Sequence, residues 1–264
     1  MSSAVGDEIV SRDGTTIGVW RSGDGPPLVL VHGAAADHSR WAPVLPALEQ
    51  RFTVLAIDRR GRGASGDAGD YEIEREYEDL AEVVASVGEE AAVLGHSYGG
   101  ICALECALLT AGISKLVLYE APMGFLATPP RVVNRLQTLL EEDKRDELVA
   151  FFMAEVAGLP ADQVELLRSQ PAWEARLAVA HTIPREEQAS REYVFDPKRF
   201  RMLHLPTLFL LGGESSAPFK EAAEAVREAL PECRVAVMPG QRHAAMDTAT
   251  ELFTEEVLGF LGAE

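Results

Sequence analysis

Basic residues are in short supply in this 264-residue chain: 24 Lys and Arg stand against 42 Asp and Glu, and the formal net charge is −18. A field of that sign repels phosphate backbones and anionic lipid surfaces, which excludes nucleic acid and membrane as main partners. No apolar run approaches the roughly 20 residues that a membrane-spanning helix needs. The opening MSSAVGDEIV has no basic stretch leading into an apolar core, so no secretory signal is expected and the chain reads as cytoplasmic. Cysteines number only three, an odd count and a poor disulfide framework. Cys102 and Cys106 lie four apart in an apolar helical stretch, Cys233 stands alone, and all three read as reduced. There is no HExxH and no paired CxxC, so neither a metal nor a cofactor is expected. What the chain does contain is 47% apolar residues beside 25% charged ones, material for a sizeable core in one domain with an insertion.

Apolar, β-branched runs alternate with longer helical patterns to the C-terminus, which predicts a mostly parallel sheet covered on both faces. A hairpin is expected first, from EIVS through Arg12, Asp13 and Gly14 to TTIGVW. Buried strands are predicted at 26–33, 52–58, 91–97, 115–121, 205–213 and 234–240, and helices around 43–50, 72–87, 99–111 and 219–230. The last helix sets Phe253, Val257, Phe260 and Leu261 on one face. Residues 122–203 break the rhythm: they hold no convincing strand, and Pro129, Pro130, Pro160, Pro171, Pro184 and Pro197 interrupt a helical composition. The expected organisation is a core of residues 1–121 and 204–264 with a helical cap, 122–203, inserted between two strands. Apolar cap residues such as Phe125, Phe152 and Trp173 either pack the cap or line a substrate pocket, and His181 is a further candidate for substrate contact.

The densest chemistry lies in AAVLGHSYGGICALECALL, where a buried strand runs through Gly95, His96, Ser97, Tyr98 and Gly99 straight into an apolar helix. A GxSxG between strand and helix puts its serine on a strained elbow, with glycine two residues to either side where side chains would collide. The helix beneath offers free N–H groups and positive dipole to an anionic intermediate. With HGAAADHSRW after the first long strand, DRRGRGASG after the next and GQRHAAM before the final helix, nearly the whole chain resembles the α/β-hydrolase superfamily. That resemblance implies an α/β fold with an eight-stranded, mostly parallel sheet, a cap after the sixth strand, and a nucleophile, acid and histidine in that chain order. Ser97 matches the nucleophile and His243 the base. The backbone N–H groups of Ala34 and Tyr98 match the oxyanion donors.

A serine hydroxyl needs a positioned imidazole to take its proton and return it to the leaving group. Of six histidines, His243 alone follows a strand and a Pro-Gly turn late in the chain. His32 and His96 read as turn residues, and His38, His181 and His204 as surface or cap residues. Where the superfamily commonly carries its acid, after the seventh strand, this chain has Gly212, Gly213, Glu214, Ser215 and Ser216, and the acid position falls on Ser216. Some members carry the acid after the sixth strand instead, and Glu120 stands there. A carboxylate ending a buried strand is costly unless paired, and an imidazole would explain it. Glu120 is the expected acid, with Glu214 the alternative.

Two other features have structural readings beside functional ones. Arg59, Arg60 and Arg62 form a basic cluster, either an anion site or local pairing. GRGASG at 61–66 fits GxGxxG, but two arginines separate it from its strand and no ribose-binding acid ends the next one, which argues against a nucleotide. The expected function is a serine hydrolase acting on a small to medium ester, thioester or lactone through an acyl-enzyme. Carbon–carbon or amide cleavage by the same residues, and a non-catalytic ligand-binding protein of the same fold, are the alternatives.

Overall fold

The computed structural model of the chain describes residues 5–262 apart from 68 and 171, so the expected break at Pro171 and residues 1–4 lie outside the described residues. The hairpin comprises β1 (Val5–Val10) and β2 (Thr16–Ser22). There follow β3 (Pro27–Val31), α1 (Leu45–Leu48), β4 (Thr53–Ile57), α2 (Ile73–Ser86), β5 (Ala91–His96), α3 (Tyr98–Cys106) and β6 (Ile113–Tyr119). Next come α4 (Pro130–Glu141), α5 (Arg145–Glu155), α6 (Ala161–Arg168), α7 (Ala172–Ala178) and α8 (Ile183–Glu192). The chain closes with β7 (Thr207–Gly212), α9 (Ala217–Ala229), β8 (Cys233–Met238), α10 (Ala245–Thr248) and α11 (Thr250–Leu261).

The described residues build one eight-stranded sheet in the order β1-β2-β4-β3-β5-β6-β7-β8. Its first two pairings, β1 with β2 and β2 with β4, are antiparallel, and the other five are parallel. Strands β3, β4, β5 and β7 are buried at every position, which is why they read as unbroken apolar runs rather than alternating ones. Alternation survives in which layer each residue joins. Val29, Val31, Val93 and Phe209 pack with α2, α3 and α9 on one face, whereas Leu28, Leu30, Leu94 and Leu210 pack with α1 and α11 on the other. A one-residue slip of register would exchange the two sets, so the pattern fixes the pairing.

The chain passes from β3 outward to β4 and then returns across β3 to β5, so the order reverses between β3 and β5. In open α/β sheets ligands bind outside the carboxyl ends of the strands at such a reversal. The turns at that point are His32-Gly33-Ala34 after β3 and, after His96 ends β5, Ser97.

Helices α4 to α8 lie between β6 and β7, and no strand occurs among the described residues of that interval. The described prolines among the expected breaks open helices: Pro129 caps α4 and Pro130 begins it, Pro160 caps α6, Pro184 stands in the first turn of α8, and Pro197 begins a short 3-10 turn. Leu136, Leu148, Val149, Phe152, Trp173 and Ile183 form the insertion's own apolar cluster, which also takes in Ala35 and packs against Ala34. The insertion therefore rests on the loop that follows β3.

One carboxyl group in this insertion is poorly accommodated. Glu187 on α8 is buried, and its Oε2 accepts a hydrogen bond from Thr128 Oγ1 at 2.5 Å. Burial raises its pKa, the Thr128 hydrogen bond only partly opposes this and neighbouring Glu186 adds to it, so that it reaches about 7. The unfolded chain loses this proton near the ordinary glutamate value. The stability contributed by a neutral Glu187 is therefore complete below that value, declines as pH rises and is gone above about 7, at a cost of about 3 kcal/mol. Glu187→Gln keeps an acceptor for Thr128 without the charge. It is expected to raise the melting temperature at pH 8 by several degrees and to change it little at pH 4.5; equal effects at both pH values would show that no proton is involved.

Candidate active site

Ser97 caps the N-terminus of α3 at φ 55° and ψ −121°, a region that a non-glycine residue enters only under constraint. The constraint is visible around it. A Cβ on Gly95 would lie 2.5 Å from the Gly99 carbonyl oxygen, and one on Gly99 would lie 2.4 Å from that of Val31, so neither position admits a side chain. The Ser97 N–H donates to the Tyr119 carbonyl at 2.9 Å, tying the elbow to the end of β6. On its other side stands Gly33, where an added Cβ would come 3.0 Å from Ser97 Cβ. Ser97 itself is half-exposed.

Glu120 directly follows β6 in a second strained conformation, φ 46°, and its side chain is fully buried. Its Oε1 accepts hydrogen bonds from the Gly212 N–H at 2.8 Å and from Ser215 Oγ. Its Oε2 lies 2.9 Å from His243 Nδ1. Three donors thus surround one buried carboxylate, which is what a charge removed from water requires. His243 is half-exposed, and its ring packs against those of Phe219 at 4.9 Å and His96 at 4.6 Å. The loop carrying it is clamped by Tyr119, whose hydroxyl donates to the Arg242 carbonyl at 2.6 Å and accepts from the Ala245 N–H at 2.7 Å. His96 Nε2 lies 3.2 Å from the His243 carbonyl oxygen, so the residue before Ser97 also touches this loop. Among the described residues neither Ser97 Oγ nor His243 Nε2 has a hydrogen-bond partner. In ligand-free sites such contacts are commonly long and tighten when substrate binds.

The other candidates divide. Among the described residues nothing accepts a hydrogen bond from the Ala34 N–H, and the Tyr98 N–H is one of the donors that the first turn of a helix leaves without an intrahelical partner. Phe152 and Trp173 are buried in the insertion's cluster, and Trp173 Nε1 donates to Asp146 at 2.8 Å. Phe125 is 39% exposed in the turn after β6. His181 lines a cleft of about 380 Å³ with Asp37, Gly61, Arg62 and Asp67. Its Nδ1 is buried without a partner, and burial lowers its pKa. Glu214 is exposed and turned toward Arg242 at 3.8 Å, while Ser216 caps α9. His32 is buried, accepts the Arg59 N–H on Nε2 at 3.2 Å and lies 2.8 Å from the Gly33 carbonyl through Nδ1; burial first, then Arg59, pushes its pKa well down.

Each arginine of the basic cluster is buried against carboxylates. Arg59 pairs with Glu76 at 2.7 Å and Glu186 at 2.5 Å, Arg60 with Asp79 at 2.7 Å and Asp13 at 3.0 Å, and Arg62 with Glu186. The GRGASG turn wraps Asp58, which accepts from Trp20 Nε1 at 2.9 Å and from the His38 and Ala64 N–H groups. Burial opposes its charge, but these donors and the His38 ring bring its pKa down to about 2. Sequence reasoning missed Ser215, Tyr119 and Phe219, which hold the Glu120–His243 pair. The only local signal for Ser215 is a hydroxyl just after a buried strand, next to the position where an acid was sought. Among the described residues no group of three His, Cys, Asp or Glu is arranged to hold a metal ion, and no helix is long and apolar enough to cross a membrane.

Residues 28–256 match the profile of the alpha/beta hydrolase family. A pimeloyl-[acyl-carrier protein] methyl ester esterase of Aeromonas hydrophila is 28% identical, over 94% of this chain and all of that protein. A RutD protein of Azorhizobium caulinodans, whose name refers to carbamate hydrolysis, is 26% identical over 91% of this chain and 92% of its own. Among solved structures, an alpha/beta hydrolase from Sphaerobacter thermophilus superposes with a TM-score of 0.86 at 35% identity, over 97% of this chain and 100% of that one.

Proposed function

Because this chain belongs to the alpha/beta hydrolase family, we propose that it is a serine hydrolase that cleaves a small to medium carboxylic ester through an acyl-enzyme. The observation that carries this reading is the 2.9 Å contact between buried Glu120 and His243 Nδ1, with the His243 ring 4.6 Å from that of His96, the residue before a serine strained into an elbow at the head of α3. In the proposed reaction Ser97 Oγ attacks the carbonyl carbon while His243 Nε2 takes its proton. Glu120 holds the imidazole by Nδ1 and stabilises its positive charge. The carbonyl oxygen, now an anion, receives the N–H groups of Ala34 and Tyr98. The alcohol leaves with the proton from His243, and water, activated by the same imidazole, releases the acid and regenerates Ser97.

The insertion's apolar cluster reaches Ala34 and Ala35, next to the proposed oxyanion donors, which supports a cap that offers apolar surface to the acyl group. The similarity to a protein named for carbamate hydrolysis favours one second reading, an amide-like bond cut by the same residues.

Turnover of p-nitrophenyl esters of graded acyl length, with capture by a fluorophosphonate mapped by mass spectrometry, tests the proposal. The expected result is turnover favouring short to medium chains and one label per chain, on Ser97. A folded protein with no turnover and no label would leave a ligand-binding role instead, and turnover of carbamates or amides but not esters would favour the second reading.

A further inference from the structure

Arg59, two residues past β4, reaches beneath the elbow and is only 2% exposed. Its Nη1 donates to the carbonyl oxygens of His32 at 3.3 Å and Gly33 at 3.2 Å. Its guanidinium carbon sits 4.5 Å from the centre of the Tyr98 ring. The remaining donors are occupied: Nε and Nη2 grip the two oxygens of Glu76 at 2.7 and 2.8 Å, and Nη2 also meets Glu186 Oε1 on α8 at 2.5 Å. Tyr71 closes the ring of contacts, its hydroxyl donating to Glu76 at 2.8 Å and lying 2.6 Å from the Tyr98 hydroxyl.

The chemistry of the peptide bond gives this arrangement a consequence. The Gly33 carbonyl and the Ala34 N–H belong to one planar trans unit and point in opposite directions. Two groups hold that carbonyl, the ring of His32 through Nδ1 at 2.8 Å and Arg59 Nη1 at 3.2 Å; fixing it on one side aims the N–H on the other and, by polarising the carbonyl, makes that N–H a better donor. The same guanidinium lies over the ring of Tyr98, whose N–H is the second proposed donor. We infer that Arg59 is a positioning residue for the oxyanion hole, setting the orientation of the Ala34 and Tyr98 N–H groups through the Gly33 peptide and the Tyr98 ring. Glu186 ties the device to α8, so the insertion's docking and the hole's geometry share one side chain. Burial alone would lower the pKa of Arg59, but Glu186 and Glu76 raise it, and the guanidinium stays charged. A lysine cannot reproduce these contacts, because its compact ammonium lacks the planar fork that spans two carbonyls and two carboxylates at once.

This inference rests on the serine-hydrolase reading, and the experiment separates the two. Arg59→Lys and the wild type are compared on a p-nitrophenyl ester and its thionoester, and against an alkylboronic acid as a tetrahedral mimic. Oxyanion donors select O⁻ over S⁻, so the ratio of ester to thionoester kcat reports the hole itself, whereas general loosening of the fold lowers both rates alike. Expected for Arg59→Lys are a fall in ester kcat of about 10- to 100-fold with KM little changed, a clear fall in the ester to thionoester ratio, and weaker boronate binding by a similar factor. Should Arg59→Lys fail to fold by circular dichroism, Glu76→Gln loosens the grip on Arg59 while keeping the side-chain shape, and the ratio should fall in the same direction. An unchanged ratio in the folded variant, with Ser97 labelled normally in the wild type, overturns the role of Arg59 alone. A wild type that neither turns over esters nor labels at Ser97 overturns the hydrolase reading and this inference with it.

Discussion

Ser97→Ala is expected to lower kcat on p-nitrophenyl esters by about 10⁶-fold, the scale on which removing a serine nucleophile acts in other hydrolases, while the fold stays intact. The two halves of that statement have separate grounds. Alanine keeps the Cβ, and the strained backbone at φ 55° is held by the crowding at Gly95 and Gly99 and by the hydrogen bond from the Ser97 N–H to Tyr119, none of which involves the hydroxyl. Among the described residues the hydroxyl has no partner to lose, so the melting temperature should move by no more than a few degrees. Activity, by contrast, has no second route to an acyl-enzyme in the proposed mechanism, because the imidazole that Glu120 holds would then have no hydroxyl to deprotonate. A residual rate above that in water should survive, because the oxyanion donors are backbone groups and remain. A variant retaining more than a tenth of wild-type kcat would show that Ser97 is not the nucleophile, and the fluorophosphonate label would then fall elsewhere.

The parts of this molecule that were legible in the sequence are those whose environment is the same along a whole segment. Strands β3, β4, β5 and β7 are buried throughout and show as apolar runs, and α11 shows because Phe253, Val257, Phe260 and Leu261 all face the layer that packs on Leu28 and Leu30. Boundaries were less legible. Strand β6 starts at Ile113, earlier than expected, because pairing with Ala91 of β5 recruits the polar residues before the apolar run. Helix α3 ends at Cys106 rather than near residue 111, where Ala107 to Leu109 tighten into a turn.

Helix α8 defeats a one-dimensional reading altogether. IPREEQASRE looks solvent-facing, yet Glu186 and Glu187 are buried. Glu186 is matched by Arg59 and Arg62, more than 120 positions away along the chain, and no local pattern announces such a partner. The arginine cluster has the same character from the other side, since its charges are neutralised by acids on α2, on α8 and in the first hairpin. Glu120 was legible for the opposite reason. A lone carboxylate ending a buried strand has a cost that local sequence displays, and only the identity of its donors, Gly212, Ser215 and His243, required the fold.

Glu120→Gln is the second large effect, an expected fall in kcat of about 10³- to 10⁴-fold with KM little changed, by analogy with the loss seen when a triad aspartate becomes an amide. The geometry says why an isosteric change should be so costly. Oε1 accepts from Gly212 N–H and Ser215 Oγ, so a glutamine must keep its carbonyl oxygen there and turn its NH₂ toward His243. An NH₂ facing Nδ1 at 2.9 Å is donor against donor unless the imidazole carries its proton on Nε2, the nitrogen that must instead take the proton from Ser97. The substitution would thus select the wrong tautomer and also withdraw the negative charge that stabilises the imidazolium. Glu214→Gln is the matched comparison. Its side chain is 61% exposed and lies 3.8 Å from Arg242, a contact that water screens, so kcat should stay within about twofold. The reverse pattern, with Glu214→Gln crippling and Glu120→Gln tolerated, would move the acid to the loop after β7 and leave the buried carboxylate at the end of β6 as an anchor for Gly212 and Ser215.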